Sequence, residues 1–160
     1  MSINKPLAKI LPFVMLIFVF AVFSLQIHEY FHFHMARLLG VESYVQFRSD
    51  FLSGYTHFLS PISGWTEFWI RLMGGIGTAA IFGVMWALSA WQGHWTKWNL
   101  DDSMIYGIIV FVNLFYGIAE GLFVWTGDPW WGELTGFIVG AAVIGRLYWL
   151  PFMRWWAEED

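Results

Sequence analysis

Apolar residues gather into four long runs along the chain, separated by short polar breaks. The first extends from about Leu11 to Leu39, the second from Glu67 to Trp91, the third from Ser103 to Trp125 and the fourth from Pro129 to Leu150. At about 1.5 Å per residue, a helix of ~20 residues spans a hydrocarbon core of ~30 Å, and each run reaches that length. Helix-terminating chemistry marks the breaks. Pro12 suits a first turn, Gly40 a left-handed stop, and Asp101, Asp102 and Ser103 the N-cap of the third run. Gly127-Asp128-Pro129 reads as a turn before the fourth. Between the first two runs the pattern changes. Val41, Ser43, Val45 and Phe47 alternate with Glu42, Tyr44, Gln46 and Arg48, and Gly54 precedes a second short stretch, Tyr55 to Phe58. This alternation predicts two strands returning as a hairpin. The expected fold is therefore all-α and polytopic: one membrane-embedded domain over 1–160, with four transmembrane helices and a small β-hairpin-like loop after the first.

Composition agrees with that pattern. Hydrophobic residues make up 58% of the 160, charged residues 12% and aromatic residues 21%. Absence of cysteine rules out disulfides, thiolate metal sites and cysteine nucleophiles. A net charge of −4 without a basic cluster offers nothing to nucleic acid, so the lipid bilayer is the expected partner. Lys5 and Lys9 precede an apolar stretch with no small-residue cleavage site, as in an uncleaved signal-anchor. Trp91, Trp95, Trp98, Trp149, Trp155 and Trp156 fall at one set of run ends, and Trp65, Trp69, Trp125, Trp130 and Trp131 at the other. These predict two interfacial belts, with both termini on one side. Lys5, Lys9, Lys97, Arg146 and Arg154 stand against Arg37, Arg48 and Arg71; positive-inside counting favours cytosolic termini by five to three, a margin that leaves the orientation open. The glycines of the second run (Gly74, Gly75, Gly77, Gly83) and the pair Gly136 and Gly140 predict close helix packing.

The chemistry lies in the far third of the first run, which reads His28-Glu29-Tyr30-Phe31-His32. Positions four apart stack on one helix face, so both imidazoles can aim at one point. Glu29 sits one step round, within reach of a water bound there. That is the two-ligand-plus-base arrangement of a zinc hydrolase, in which a third ligand completes the protein's share. His28 and His32 lie roughly 25–32 Å along the helix from Leu11, near the far edge of the hydrocarbon, where ionisable side chains require a partner. Asp128 is the first candidate for third ligand, because two further crossings return the end of the third run to the face where the first run ends. Glu120, a carboxylate among Gly117, Ile118, Ala119 and Gly121, is the second; its partner would be a metal or Arg71. Asn113 lies on a similar face, with a helix carbonyl as its expected partner. His34, about 200° round from His32, is expected to bond a neighbouring helix. His57 falls in the hairpin, His94 at the opposite interface, and Arg37 is expected to snorkel.

The stretch from His28 to Gly40 resembles the H-E-x-x-H-x-x-x-A-R-x-x-G signature of site-2 protease-type intramembrane metalloproteases, with Ala36, Arg37 and Gly40 in register. The glycine-rich start of the second run is similar to that family's second core helix. Asn113 followed by Asp128 is similar to its third-helix motif, although no proline lies between them and Pro129 replaces the family's glycine. The resemblance implies His28, His32 and Asp128 as zinc ligands and Glu29 as general base. It also implies a hairpin that presents unwound substrate by strand addition. The function expected is hydrolysis of peptide bonds in membrane-embedded protein substrates. Two alternatives remain open: a non-proteolytic membrane protein that binds metal and partners, and a haem or di-iron redox protein using His28, His32, His34 and Glu120.

Overall fold

A computed structural model describes residues 5–49, 54–91, 97–127 and 130–157. Its elements run α1 (Lys5–Leu38), β1 (Ser43–Phe47), β2 (Gly54–Phe58), α2 (Gly64–Trp91), α3 (Lys97–Thr126) and α4 (Trp130–Ala157). All four helices contain a segment long and apolar enough to cross a membrane: Val14–Leu38, Gly64–Trp91, Ser103–Thr126 and Trp130–Leu150. The expected fold class is the observed one.

Three boundaries differ from the sequence reading. The first helix begins at Lys5, so Pro12 lies inside it and not in its first turn. The third begins at Lys97, which places Asp101, Asp102 and Ser103 within the helix. Ser103 is buried and its Oγ pairs with the Tyr148 hydroxyl, so a packing contact takes the place of the expected cap. The fourth runs on through Pro151 to Ala157, past the expected end at Leu150.

Gly40 ends α1 as anticipated. It adopts φ +75°, its N–H reaches Arg37 O at 3.1 Å, and Val41 N–H reaches Ala36 O at 2.8 Å. These bonds form the Schellman pattern that satisfies a helix's last carbonyls. Directly beyond it, β1 and β2 pair antiparallel, with Ser43 opposite Phe58 and Val45 opposite Thr56. The hairpin packs on α1 and covers the end of that helix.

Helix α3 is central, touching α1, α2 and α4. Its contact with α2 is backbone on backbone. A Cβ added at Gly75 would stand 2.3 Å from both Gly117 Cα and Asn113 O, so neither helix tolerates a side chain there. Gly132, Gly136 and Gly140 form the matching stripe on α4, lying against Ala119, Phe115 and Phe111. Close packing through small residues is the expected device where lipid supplies little hydrophobic drive between helices. Towards the other end, Trp86 Nε1–H donates to Tyr148 Oη at 2.8 Å, tying α2 to α4. Exposed Trp65, Trp69, Trp125, Trp130 and Trp131 ring one end, where Trp65 and Trp125 meet edge to face, while Trp91 and Trp149 are exposed at the other. Trp95 lies outside the described residues.

Candidate metal centre

The histidine pair sits on the inner face of α1, about two turns before its end, and both residues are buried. Room for the two rings comes from α2. A Cβ added at Gly74 would lie 2.3 Å from His32 Cε1 and 2.8 Å from His28 Nε2. The expectation that these glycines serve helix packing holds for Gly75 and Gly77, which abut α3 and Phe31; Gly74 instead makes space for the imidazoles.

Three side chains converge there. Nε2 of His28 and Nε2 of His32 are 2.9 Å apart, and Glu120 Oε2 lies 3.0 Å from the first and 3.3 Å from the second. Ligands held tetrahedrally at 2.0–2.1 Å from one ion would stand about 3.3 Å apart. The spacing therefore suits a small divalent cation, and His28, His32 and Glu120 form a group that can hold a metal ion. The donor chemistry fits as well. His32 Nδ1 is 2.7 Å from the carbonyl oxygen of Ile70, which only accepts, so Nδ1 carries the proton and donates it. A neutral His32 then turns the Nε2 lone pair towards His28 and Glu120. Such a bond from the far ring nitrogen is the usual way a ligating imidazole is oriented.

Glu120 was the second candidate for this position, with a metal or Arg71 as its partner; its two oxygens face both. Oε2 faces the histidines, and Oε1 is 3.7 Å from Arg71 Nη1. Arg71 is fixed in turn by Glu67, whose Oε1 accepts from Nε at 2.8 Å, and its guanidinium lies 4.8 Å from the Phe123 ring centroid. Asp128, the first candidate, lies outside the described residues.

Glu29 stands beside this group but outside it. Its backbone O and carboxylate Oε2 each lie 2.9 Å from Thr56 Oγ1, the donor, on β2. Glu29, His32, Thr56, Arg71 and Glu120 share the wall of a cavity of about 360 Å³, completed by Tyr55, His57 and Phe58 of the hairpin. One cavity thus has Glu29 in its wall together with His32 and Glu120 of the metal group and residues of the hairpin.

The remaining expected residues are placed as follows. Asn113 Nδ2 donates to Ile109 O at 2.9 Å, the helix-backbone role anticipated for it. His57 stacks on Tyr44. His34 differs from expectation: it is exposed, stacks on Tyr30 and lines a separate cavity with Ile27, Phe31 and Ile81. Arg37 is exposed with its guanidinium 5.3 Å from the Phe33 ring centroid. His94 lies outside the described residues. Thr56 carried no sequence signal, being an ordinary strand residue.

Comparison with protein-family models, with curated proteins and with solved structures finds no match to this chain.

Proposed function

We propose that this chain is an intramembrane zinc metalloprotease that hydrolyses a peptide bond of a membrane-embedded protein. The observation that supports it is the division of labour among its carboxylates: Glu120 joins His28 and His32, while Glu29 stays free of that group and faces the same cavity. A structural cluster of buried histidines would not call for a second, separately held carboxylate beside it. His28, His32 and Glu120 would hold the ion, the three protein ligands that a catalytic zinc site uses alongside a water. Zinc, when bound, supplies Lewis acidity and lowers the pKa of that water to about 7. Glu29 accepts a proton as the water attacks the peptide carbonyl and then delivers it to the leaving amine. Arg71, which lines the same cavity, supplies N–H donors and positive charge for the developing oxyanion. The H-E-x-x-H spacing and the resemblance noted above point the same way.

The deciding experiment is Glu29→Gln in purified, membrane-reconstituted protein. It should keep stoichiometric zinc and lose turnover of a labelled, unstructured casein by several orders of magnitude. Proteolysis that survives the change removes Glu29 from the reaction and the reading with it.

A further inference from the structure

We propose that Thr56 is a positioning residue for the general base, so that the hairpin sets the catalytic geometry of α1. The inference rests on the reading of Glu29 as base and goes beyond it, because it assigns to the hairpin a task separate from holding substrate.

The single hydroxyl proton of Thr56 is shared between two acceptors of Glu29. Thr56 Oγ1 is 2.9 Å from the Glu29 carbonyl oxygen and 2.9 Å from Oε2. A contact to the backbone anchors the strand to the helix, and a contact to the carboxylate fixes the side chain relative to that anchor. Glu29 has three rotatable side-chain bonds, so a carboxylate without such a tether samples several rotamers. With Oε2 held by Thr56, Oε1 is the oxygen left for a water at the histidine group.

The hairpin is built to deliver this hydroxyl. Thr56 lies on the half-buried face of β2 shared with Gly54 and Phe58, while Tyr55 and His57 point outward. Its position is set by the pairing with Val45 and, at the hairpin's open end, by the bond from Leu59 N–H to Glu42 O at 2.9 Å. Gly54, on the same face, keeps the strand close: a Cβ there would stand 3.3 Å from Glu29 Cγ. A slip of one residue in register would turn Thr56 outward and remove the contact.

The two carboxylates of the site are thus held by different elements. Glu120 is steadied from α2 through Arg71, and Glu29 from β2 through Thr56. Loss of the Thr56 hydroxyl should leave the metal group untouched and disorder only the base.

Thr56→Val removes the hydroxyl while retaining shape and strand preference, and Thr56→Ser restores the hydroxyl. Zinc content, thermal unfolding and casein turnover are measured for both, alone and with Glu29→Gln. The expected result is a Thr56→Val protein with full zinc, KM within about twofold of wild type and kcat lowered about 10- to 100-fold, the range for a misplaced reacting group. Thr56→Ser should recover most of that loss, and Thr56→Val should add nothing once Glu29 is Gln. Unchanged kcat in Thr56→Val overturns the proposal, as does a loss that Ser does not recover or that accompanies lost zinc. A wild type no more active than Glu29→Gln overturns the protease reading and this proposal together, which distinguishes the two failures.

Discussion

Gly74→Ala isolates the geometry on which the metal centre depends. The added methyl carbon would lie 2.3 Å from His32 Cε1, 2.5 Å from His32 Nε2 and 2.8 Å from His28 Nε2. Carbon atoms in contact settle near 3.5 Å, so the His32 ring must recede by about 1.2 Å. A metal site tolerates departures of about 0.2 Å in ligand distance, so the required shift is several times larger. Retreat of His32 also stretches its 2.7 Å bond to Ile70 O, and a buried donor left unpaired costs about 1–3 kcal/mol. Helix preference runs the other way, since Ala favours a helix interior over Gly by about 0.5–1 kcal/mol. The bundle should therefore form while zinc affinity falls at least about a hundredfold. Gly83→Ala is the matched control, because its nearest neighbour, Val110 Cγ2, is at an ordinary 4.0 Å. That variant should keep zinc and unfold at the wild-type temperature or slightly above. Competition with a chromogenic chelator measures affinity, and circular dichroism in detergent measures the fold. Wild-type zinc affinity in Gly74→Ala would refute the reasoning, because the rings could not then occupy their observed places in the loaded protein.

Two further outcomes follow from the same centre. Glu120→Ala should release zinc, as equilibrium dialysis will show; retention by Glu120→Ala would remove that carboxylate from the ligand set. Arg71→Ala frees Glu120 Oε1 from its 3.7 Å partner and should weaken zinc binding about 10- to 100-fold, the usual effect of losing a residue that orients a ligand. Arg71→Lys should restore only part of it, since an ammonium cannot hold Glu67 and Glu120 with one planar fork.

The sequence by itself determined the membrane-spanning architecture, because the length of an apolar run and the polarity of its breaks are local properties. It also determined the hairpin, from alternation, and the stop at Gly40, from the left-handed backbone that glycine permits. The histidine pair and Glu29 were legible for the same reason, since a four-residue spacing fixes a helix face without reference to anything else. The third member of the metal group depended on tertiary structure. Whether Glu120 reaches the histidines depends on the rotation of α3 about its axis, which no local pattern encodes. That rotation is set by Gly75 lying against Gly117 and by the glycine stripe of α4 against Phe111, Phe115 and Ala119. With α3 so turned, Glu120 points at α1. Thr56 and Arg71 belong to the same category: each takes its role from a neighbour 27 or 49 residues away in the chain. No local pattern encodes such a meeting; packing alone brings the partners together.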